Sequence, residues 1–280
     1  MAHQQHNEYV PGYARQHIQH HEWRTAENSA PHLIPHLQRL AASKPKLSLL
    51  DVGSGSGTIT TSLAKYIPQG TLTGVDLSEE IVSRANAEAQ EAGIANVTFQ
   101  AGSIYSLPFQ DNSFDVVHAH QVLTHLDQPV EALKELLRVC RPNGGLVASR
   151  EADMRMWSFH PSPPGLVAFH KLIGDVMVHS GGHRDAGAKL VSWALAAGAQ
   201  RDRIHASCGT WCYSSPEERQ VWGGSMMERI QNGGMRRKAL QEGMVTEEQL
   251  RDMVRGWEEW LDAEDGFLGC MHGEIVIEKA

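Results

Sequence analysis

A glycine-rich turn between two regular segments is the feature that most constrains this chain. The turn, DVGSGSG at Asp51–Gly57, ends a continuously apolar run, LSLLDV, of the kind found in buried parallel strands, and opens a helix-like segment, GTITTSLAKYI. Its glycines let the backbone turn tightly and approach a ligand where a Cβ atom would clash. Asp76 lies in the next apolar run, TLTGVDL, where a carboxylate can accept hydrogen bonds from ribose hydroxyls. The combination predicts an α/β fold that binds a nucleoside beside its first strand.

Strand-like and helix-like segments continue to alternate after this turn. Ser78 can cap the helix EEIVSRANAEAQEAG, which should stop at Gly93. The apolar runs NVTFQA, FDVVHAH and GGLVASRE follow, with the helix PVEALKELLRVC between the last two. This βαβ alternation predicts a doubly wound parallel sheet that is covered by helices on both faces.

The pattern changes after Ala152. The segment MRMWSFHPSPPGL is rich in proline and aromatic residues and is predicted to be a loop. Two helices and a strand are then expected at 165–180, 185–198 and Arg203–Gly209. Residues 215–262 are predicted to form inserted helices, the clearest of which begins with a capping box of Thr246 and Gln249. The late segment EIVIE is predicted to be the final strand of the sheet.

Charge and composition exclude several classes of partner. The formal net charge is −8 and no basic stripe appears, so no nucleic-acid partner is expected. No segment approaches the roughly 18 consecutive apolar residues of a membrane span, and the polar N-terminus lacks the apolar core of a signal peptide. Four cysteines are too few for a disulfide framework in a chain of this length. We therefore expect a cytoplasmic protein without a membrane partner.

Two pairs of potential metal ligands are expected to serve other purposes. His17 and His21 have helical i, i+4 spacing, but the rest of a ligand pattern is missing, which favours a polar helix face or a wall of the site. Cys208 and Cys212 lie near a strand end and are predicted to be packed thiols rather than redox or metal groups. No metal is expected.

The glycine spacing fits either a dinucleotide site or an adenosyl site. Position 58 is Thr, so the turn has the pattern G-S-G-S-G rather than G-x-G-x-x-G. The motifs V-D-L-S, L-P-F-x-D-x-S-F-D, V-L-x-H-L and R-V-x-R-P-x-G-G follow in that order. Together with the turn, they resemble the class I methyltransferases of the ubiquinone/menaquinone-biosynthesis type, over about residues 47–150.

This resemblance implies a Rossmann-like seven-stranded sheet with its last strand antiparallel, and S-adenosylmethionine as the cofactor. It assigns Gly53, Ser54 and Gly55 to the methionyl part of the cofactor, Asp76 to the ribose and Leu77 to the adenine. The EIVIE segment agrees with the expected last strand.

Four more residues receive cofactor roles from the same resemblance. Ser103 and Ile104 match the adenine-binding position, with the Ile104 amide as one donor, although the family commonly has Asp where this chain has Ser103. Tyr13 and Arg24 match positions that close over the cofactor, with Arg24 facing its carboxylate. A solvated helix anchored by Tyr13 and Trp23 is the alternative.

His120 is the candidate catalytic residue. It matches the position that passes beneath the sulfonium and faces the acceptor, and ligands collect at the carboxyl ends of parallel strands. His118 is predicted to pack under a helix instead. Other candidate bases are His125, His160, Tyr105 and Glu151. Scaffold roles are expected for Asp51, Asp115 and Arg138.

Aromatic residues and methionines at 153–160 and 211–227 are predicted to cover a flat or hydrophobic substrate. The candidates are Met154, Met156, Trp157, Phe159, Trp211, Trp222, Met226 and Met227. Of these, substrate contacts are assigned to Trp157, Phe159, Trp222 and Met226. Packing in the core of the inserted helices is the alternative for most of them.

The expected organisation has three parts. Cap helices are expected at 1–43, the cofactor-binding core at 44–210 and 266–280, and a helical insertion over the substrate at 211–265. Over its whole length, including the segment HHEWRTAENSA, the chain is similar to fungal methyltransferases of secondary metabolism, and among them to the S-methyltransferases of reduced gliotoxin-like dithiols.

That similarity implies transfer of methyl groups to the thiols of a small dithiol, giving a bis-thiomethylated product. The alternatives are O-, N- or C-methylation of a quinol, phenol or amine, a catalytically silent cofactor-binding regulator, and a nicotinamide-dependent oxidoreductase. The sequence leaves the oligomeric state open, a monomer included.

Overall fold

A seven-stranded mixed sheet organises the part of the chain that the computed structural model describes, residues 23–280. Its strands are β1 Ser48–Val52, β2 Thr71–Asp76, β3 Val97–Ala101, β4 Val116–His120, β5 Leu146–His160, β6 Ile204–Tyr213 and β7 Phe267–Glu278. Their spatial order is β3-β2-β1-β4-β5-β7-β6. The first five strands pair in parallel, and β7 is antiparallel to both β5 and β6. The expected Rossmann-like sheet with an antiparallel last strand is confirmed.

Ten α-helices accompany the sheet within residues 23–280. They are α1 Ala26–Ser29, α2 Ile34–Ser43, α3 Thr58–Leu63, α4 Glu79–Glu91, α5 Pro129–Val139, α6 Pro164–His179, α7 Ala186–Ala196, α8 Pro216–Gln231, α9 Gly234–Gln241 and α10 Glu247–Asp262. In this described range, no helix combines the length and apolar character needed to cross a membrane.

The strands contribute apolar side chains to two separate cores, one on each face of the sheet. Consecutive strand residues point to opposite faces, so Leu49 packs with Leu37 and Leu63 on one side of the sheet, under α2 and α3. Leu50 packs on the other side with residues of α5 and α7, such as Leu133 and Leu190. The two cores confirm the doubly wound arrangement.

A third core holds together α6, α8, α9 and α10, which we call the helical lobe. Trp257 and Trp260 on α10 are fully buried in it, and the predicted capping box of Thr246 and Gln249 begins α10. Helices α6 and α10 approach closely through two glycines. A Cβ atom on Gly165 would lie 2.1 Å from the Asp252 carbonyl oxygen, and one on Gly256 would lie 2.3 Å from a backbone nitrogen of α6.

Two strands are longer than the sequence predicts. The segment predicted to be a loop after Ala152 continues β5 to His160, through an irregularity between Ala152 and Trp157. This extension forms because β7 begins at Phe267 and supplies its pairing partners. The sequence pattern indicated only the second half of β7. Strand β6 likewise runs to Tyr213, which places Trp211 in the sheet.

Candidate functional site

The glycine turn after β1 forms one wall of the site. Gly53, Gly55 and Gly57 all have positive φ values, of 71°, 53° and 81°. A Cβ atom on Gly53 would lie 2.3 Å from Val122, and one on Gly57 would lie 2.4 Å from Phe99. A Cβ atom on Gly55 would meet nothing within 4 Å. The outer glycines are therefore required by packing, whereas Gly55 borders open space that a ligand can fill.

The carboxylate of Asp76 lies beside this open space. It accepts hydrogen bonds from the amides of Gly55, at 2.9 Å, and Ser78, at 3.1 Å. Burial raises the pKa of this carboxyl, against the effect of the backbone donors. The Asp76 side chain therefore fixes both the turn and the end of β2. Gly55 and Asp76, which the sequence assigns to the same ligand, lie next to each other.

Three further cofactor candidates surround the turn. The buried hydroxyl of Ser54 has no hydrogen-bond partner among residues 23–280. Leu77 is 52% exposed, which leaves its side chain available to a flat ring. Ser103 Oγ accepts the Tyr105 amide at 3.3 Å, and the Ile104 side chain is buried in the core, so Ile104 can offer a ligand only its backbone.

The two histidines of β4 differ in their surroundings. His118 is fully buried, and its Nδ1 lies 2.8 Å from Asp51, whose other carboxylate oxygen accepts the Thr60 hydroxyl at 2.5 Å. This pairing agrees with the packing role expected for His118 and the scaffold role expected for Asp51. Similar roles hold for Asp115, bonded to the Ser48 amide, and for Arg138, bonded to Glu135 and Asp111.

His120 ends β4 and faces a cluster of positive charge. It is buried, and neither ring nitrogen has a hydrogen-bond partner within residues 23–280. Burial, and then the charges of Arg24 and Arg150, hold the pKa of His120 well below its usual value. At neutral pH the ring is therefore uncharged, and it is a weak base.

Trp211 lies at the centre of this cluster. Its ring centroid is 5.0 Å from the Arg24 guanidinium carbon, 4.9 Å from that of Arg150 and 5.6 Å from the His120 ring. Its Nε1 donates to the Asn28 carbonyl at 2.7 Å. The Glu274 carboxylate pairs with Arg150 at 3.1 Å.

Sequence reasoning missed Gln121, Arg150 and His272. Gln121 has a positive φ of 53°, accepts a hydrogen bond from Arg24 at 3.2 Å, and its amide nitrogen lies 2.9 Å from His272. Arg150 is the register partner of His120 across β4 and β5. A signal existed for these two, because Gln121 directly follows His120 and Arg150 ends the neighbouring apolar run. Nothing in the local sequence marks His272.

The other candidate bases have separate partners. Buried Glu151 accepts the amides of Val122, Leu123 and Thr124 at 3.1–3.2 Å, and burial raises its pKa to about 7. It holds the turn after β4 in place. Tyr105 donates to Asp127 at 2.8 Å.

The last two candidate bases are His160 and His125, and they have different surroundings. Exposed His160 lies 3.0 Å from Asp265 at the far end of β5. Burial, and then the charges of Arg229 and Arg24, lower the pKa of His125 to about 4.

The aromatic substrate candidates meet at the boundary between the sheet and the helical lobe. Trp157 stacks on His170, with centroids 5.3 Å apart, and makes edge contacts to Phe159 at 6.4 Å and Trp222 at 5.7 Å. Trp222 in turn stacks on Tyr213 at 4.7 Å. Trp157 and Phe159 are partly exposed, whereas Trp222 and Met226 are buried in the third core. Met154 is buried as well, and Met156 is exposed.

Two sets of predicted residues remain to be placed. Tyr13, His17 and His21 lie outside the described residues. Cys208 and Cys212 are exposed on β6, at the edge of the sheet. The prediction that they are packed thiols is wrong, because both side chains are exposed and β6 has no further strand beside it within residues 23–280.

Comparison with known proteins decides the family. A methyltransferase domain family matches residues 43–172. An uncharacterized methyltransferase of Schizosaccharomyces pombe is 34% identical over 266 residues, which cover 92% of each chain. This chain belongs to the methyltransferase family. A probable methyltransferase of Aspergillus luteorubrus is 27% identical over 98% of each chain.

A solved structure shares the fold of this methyltransferase. The YcgJ protein of Bacillus subtilis superposes with a TM-score of 0.57 at 18% identity, over 89% of this chain and 99% of that one. The protein is an S-adenosylmethionine-dependent methyltransferase of the small-molecule type. The turn fits this cofactor, because it combines open space at Gly55, an unpartnered Ser54 hydroxyl and the Asp76 carboxylate.

Proposed function

We propose that this methyltransferase methylates the thiols of a small, reduced dithiol metabolite and yields a bis-thiomethylated product. The observation that carries the proposal is the position and weak basicity of His120. It stands at the carboxyl end of β4, where acceptors bind in such sheets, yet burial and the neighbouring guanidiniums keep it neutral and weakly basic. An acceptor that needs little help to ionise suits such a site.

The same argument separates thiols from other acceptors. A thiol has a pKa of about 8.5, so a useful fraction is ionised near neutral pH, whereas an aliphatic alcohol needs a strong base. Arg24 and Arg150 would stabilise a thiolate beside His120. Methylation of an amine instead creates a cation, which these two guanidiniums disfavour.

The cofactor would bind along the turn after β1. In this proposal Gly53, Ser54 and Gly55 contact its methionyl part and Asp76 holds the ribose. Leu77 flanks the adenine, and Ser103 and the Ile104 amide face its edge. Arg24 faces the carboxylate, as the resemblance implies, and Tyr13 would complete the cover. When bound, S-adenosylmethionine supplies a methyl group that its sulfonium activates for in-line displacement.

The protein's own contribution would be positioning. The acceptor sulfur must lie about 3 Å from the methyl carbon, in line with the bond that breaks, with water excluded. The thiol would lose its proton to solvent before transfer, since His120 is a weak base. The new sulfur–carbon bond forms as the old one breaks, and both sulfur atoms end as neutral thioethers.

Substrate recognition is assigned to the aromatic cluster. Trp157 and Phe159 are partly exposed at the boundary of the helical lobe, and Trp222 and Met226 lie behind them. Aromatic faces and a methionine suit a flat, apolar metabolite with few charges. Of the predicted insertion at 211–265, we place the part beyond β6, residues 214–265, over this substrate, and residues 1–43 over the cofactor.

Release of S-adenosylhomocysteine with a panel of acceptors tests the proposal. Reduced cyclic dithiols would be compared with phenols, quinols and amines of similar size, with Gly55→Val as the control that removes cofactor binding. Turnover with dithiols, mass gains of one and then two methyl groups, and silence with amines are expected. Turnover with quinols or phenols alone would overturn the thiol assignment, and cofactor binding without any turnover would favour a regulatory protein.

A further inference from the structure

We propose that Trp211 is a positioning residue that fixes both Arg24 and His120 at the cofactor end of the site. The inference rests on the proposed placement of cofactor and acceptor there. Trp211 lies on the edge strand β6, remote in sequence from the glycine turn and from β4. It need not touch the cofactor or the acceptor to act in this way.

The first step is the contact of one indole with two buried guanidiniums. Arg24 is 7% exposed and Arg150 is 1% exposed, and their guanidinium carbons lie 5.0 and 4.9 Å from the Trp211 ring. Two like charges held against one buried ring repel each other in a medium of low dielectric constant. The negative faces of an indole attract cations. Glu274 pairs with Arg150, at 3.1 Å, and Gln121 accepts a hydrogen bond from Arg24, at 3.2 Å, whereas the indole ring contacts both guanidiniums.

The second step is the attachment of the N-terminal segment. The Asn28 carbonyl accepts the Trp211 indole N–H at 2.7 Å and an Arg150 N–H at 2.9 Å. Trp23, at the start of this segment, packs edge-on against Trp211, with centroids 5.2 Å apart. Trp211 therefore contacts residues on both sides of Arg24 as well as Arg24 itself, which defines the path of the segment that carries this guanidinium.

The third step concerns His120. The Trp211 ring lies 5.6 Å from His120 and 4.4 Å from His272. The charged and titratable groups that act on His120 are Arg24, Arg150, His118 and His272. Of these, Arg24 is the one carried by a segment outside the sheet, so its position depends on side-chain contacts such as the indole ring, together with its hydrogen bond to Gln121. Loss of Trp211 should then admit water and weaken the positive field at the imidazole.

A purely structural tryptophan would behave differently, and the chain provides a matched one. Trp260 is fully buried, its Nε1 donates to the Phe267 carbonyl at 3.1 Å, and the Arg219 guanidinium lies 5.6 Å from its ring. Trp260 therefore combines burial, an indole hydrogen bond and a guanidinium contact, as Trp211 does, but it lies in the core of the helical lobe.

The experiment compares Trp211→Leu, Trp211→Phe and Trp260→Leu in the full-length protein. S-adenosylhomocysteine affinity is measured by calorimetry, and the titration of His120 by NMR of labelled histidine rings, assigned with His120→Gln. We expect about tenfold weaker binding in Trp211→Leu and about threefold weaker binding in Trp211→Phe, from the lost cation–π contacts and the lost hydrogen bond. The pKa of His120 should rise toward its usual value in Trp211→Leu.

Trp260→Leu should lower the melting temperature. It should change the affinity for S-adenosylhomocysteine less than twofold and leave the pKa of His120 unchanged. Wild-type affinity and an unchanged His120 titration in folded Trp211→Leu, or in Trp211→Phe if the leucine variant does not fold, would overturn the inference. Gly55→Val distinguishes this outcome from failure of the proposed site: if that variant binds S-adenosylhomocysteine as tightly as wild type, the site itself is misplaced.

Discussion

The backbone amide of Gly55 donates a 2.9 Å hydrogen bond to the Asp76 carboxylate, which joins the turn after β1 to the end of β2. The other oxygen of this carboxylate accepts a hydrogen bond from the Ser78 amide. The residue assigned to the ribose therefore also shapes the loop assigned to the methionyl group. A change at Asp76 acts on two parts of the cofactor site at once.

Asp76→Ala should weaken S-adenosylhomocysteine binding by about 1–3 kcal/mol, because hydrogen bonds to the ribose and to the Gly55 amide are both lost. Calorimetry measures this change directly. Asp111→Ala is a suitable control, since Asp111 lies on the surface and pairs with Arg138. Equal affinities of wild type and Asp76→Ala would remove Asp76 from the cofactor site.

The three glycines of the turn should respond differently to alanine. Gly53→Ala and Gly57→Ala place a Cβ atom within 2.4 Å of a neighbour and should lower the free energy of unfolding by more than 2 kcal/mol, roughly the combined effect of overpacking and positive φ. Gly55→Ala meets no neighbour and should cost about 1 kcal/mol, from φ alone. Urea unfolding would measure all three.

Gly55→Val carries the functional half of this prediction. Its branched side chain would enter the open space beside Asp76, so cofactor binding should be abolished while the fold persists. Circular dichroism would verify the fold, and calorimetry the loss of binding. A folded Gly55→Val protein that binds with wild-type affinity would show that the turn does not contact the cofactor.

The sequence predicts the parts of this molecule that depend on local patterns. The turn, Asp76 and His120 each follow an apolar run, and the carboxyl ends of parallel strands must meet at one edge of the sheet. Trp211 and His272 could not be placed in this way. They reach the site because β7 returns antiparallel and brings β6 with it, with Trp211 paired to Cys270. That register depends on contacts between residues far apart in the chain.

The extension of β5 has the same origin. Residues after Ala152 alternate irregularly and include Arg155 and Ser158, so no local signal favours a strand. Their backbone is ordered by pairing with β7, up to the match of His160 with Phe267. Trp157 and Phe159 are thereby brought to the boundary of the helical lobe, which the prediction of a loop did not require.

Stability should fall in mild acid because buried histidines resist protonation. Burial, and then the electrostatic influence of neighbours such as His118 and Arg150, lowers the pKa of His32 from 6.5 to about 3. A base whose pKa is lowered by folding binds protons first in the unfolded state, so stability is present above about pH 6.5 and is lost as the pH falls toward 3. Between pH 7 and pH 5, His32 alone should account for a loss of about 2 kcal/mol.

His32→Gln tests this assignment. The decrease in unfolding free energy between pH 7 and pH 5 should be about 2 kcal/mol smaller in this variant than in wild type, whatever its stability at pH 7. The raised pKa of Glu151 acts in the opposite direction, but it is common to both proteins. Leu33→Met, a non-titrating change next to His32, should keep the wild-type pH dependence. Parallel curves for His32→Gln and wild type would contradict the prediction.

The close approach of α6 and α10 should make the helical lobe sensitive to a single methyl group. Gly256→Ala places a Cβ atom 2.3 Å from the backbone of α6, so the two helices must separate, at a cost of about 1–3 kcal/mol. Gly224→Ala is a matched control on α8, because its nearest neighbour would be 3.9 Å away. There the alanine should stabilise the helix by about 0.5–1 kcal/mol. Opposite shifts of the urea midpoint are therefore expected, and a neutral Gly256→Ala would show that the helix crossing tolerates a side chain.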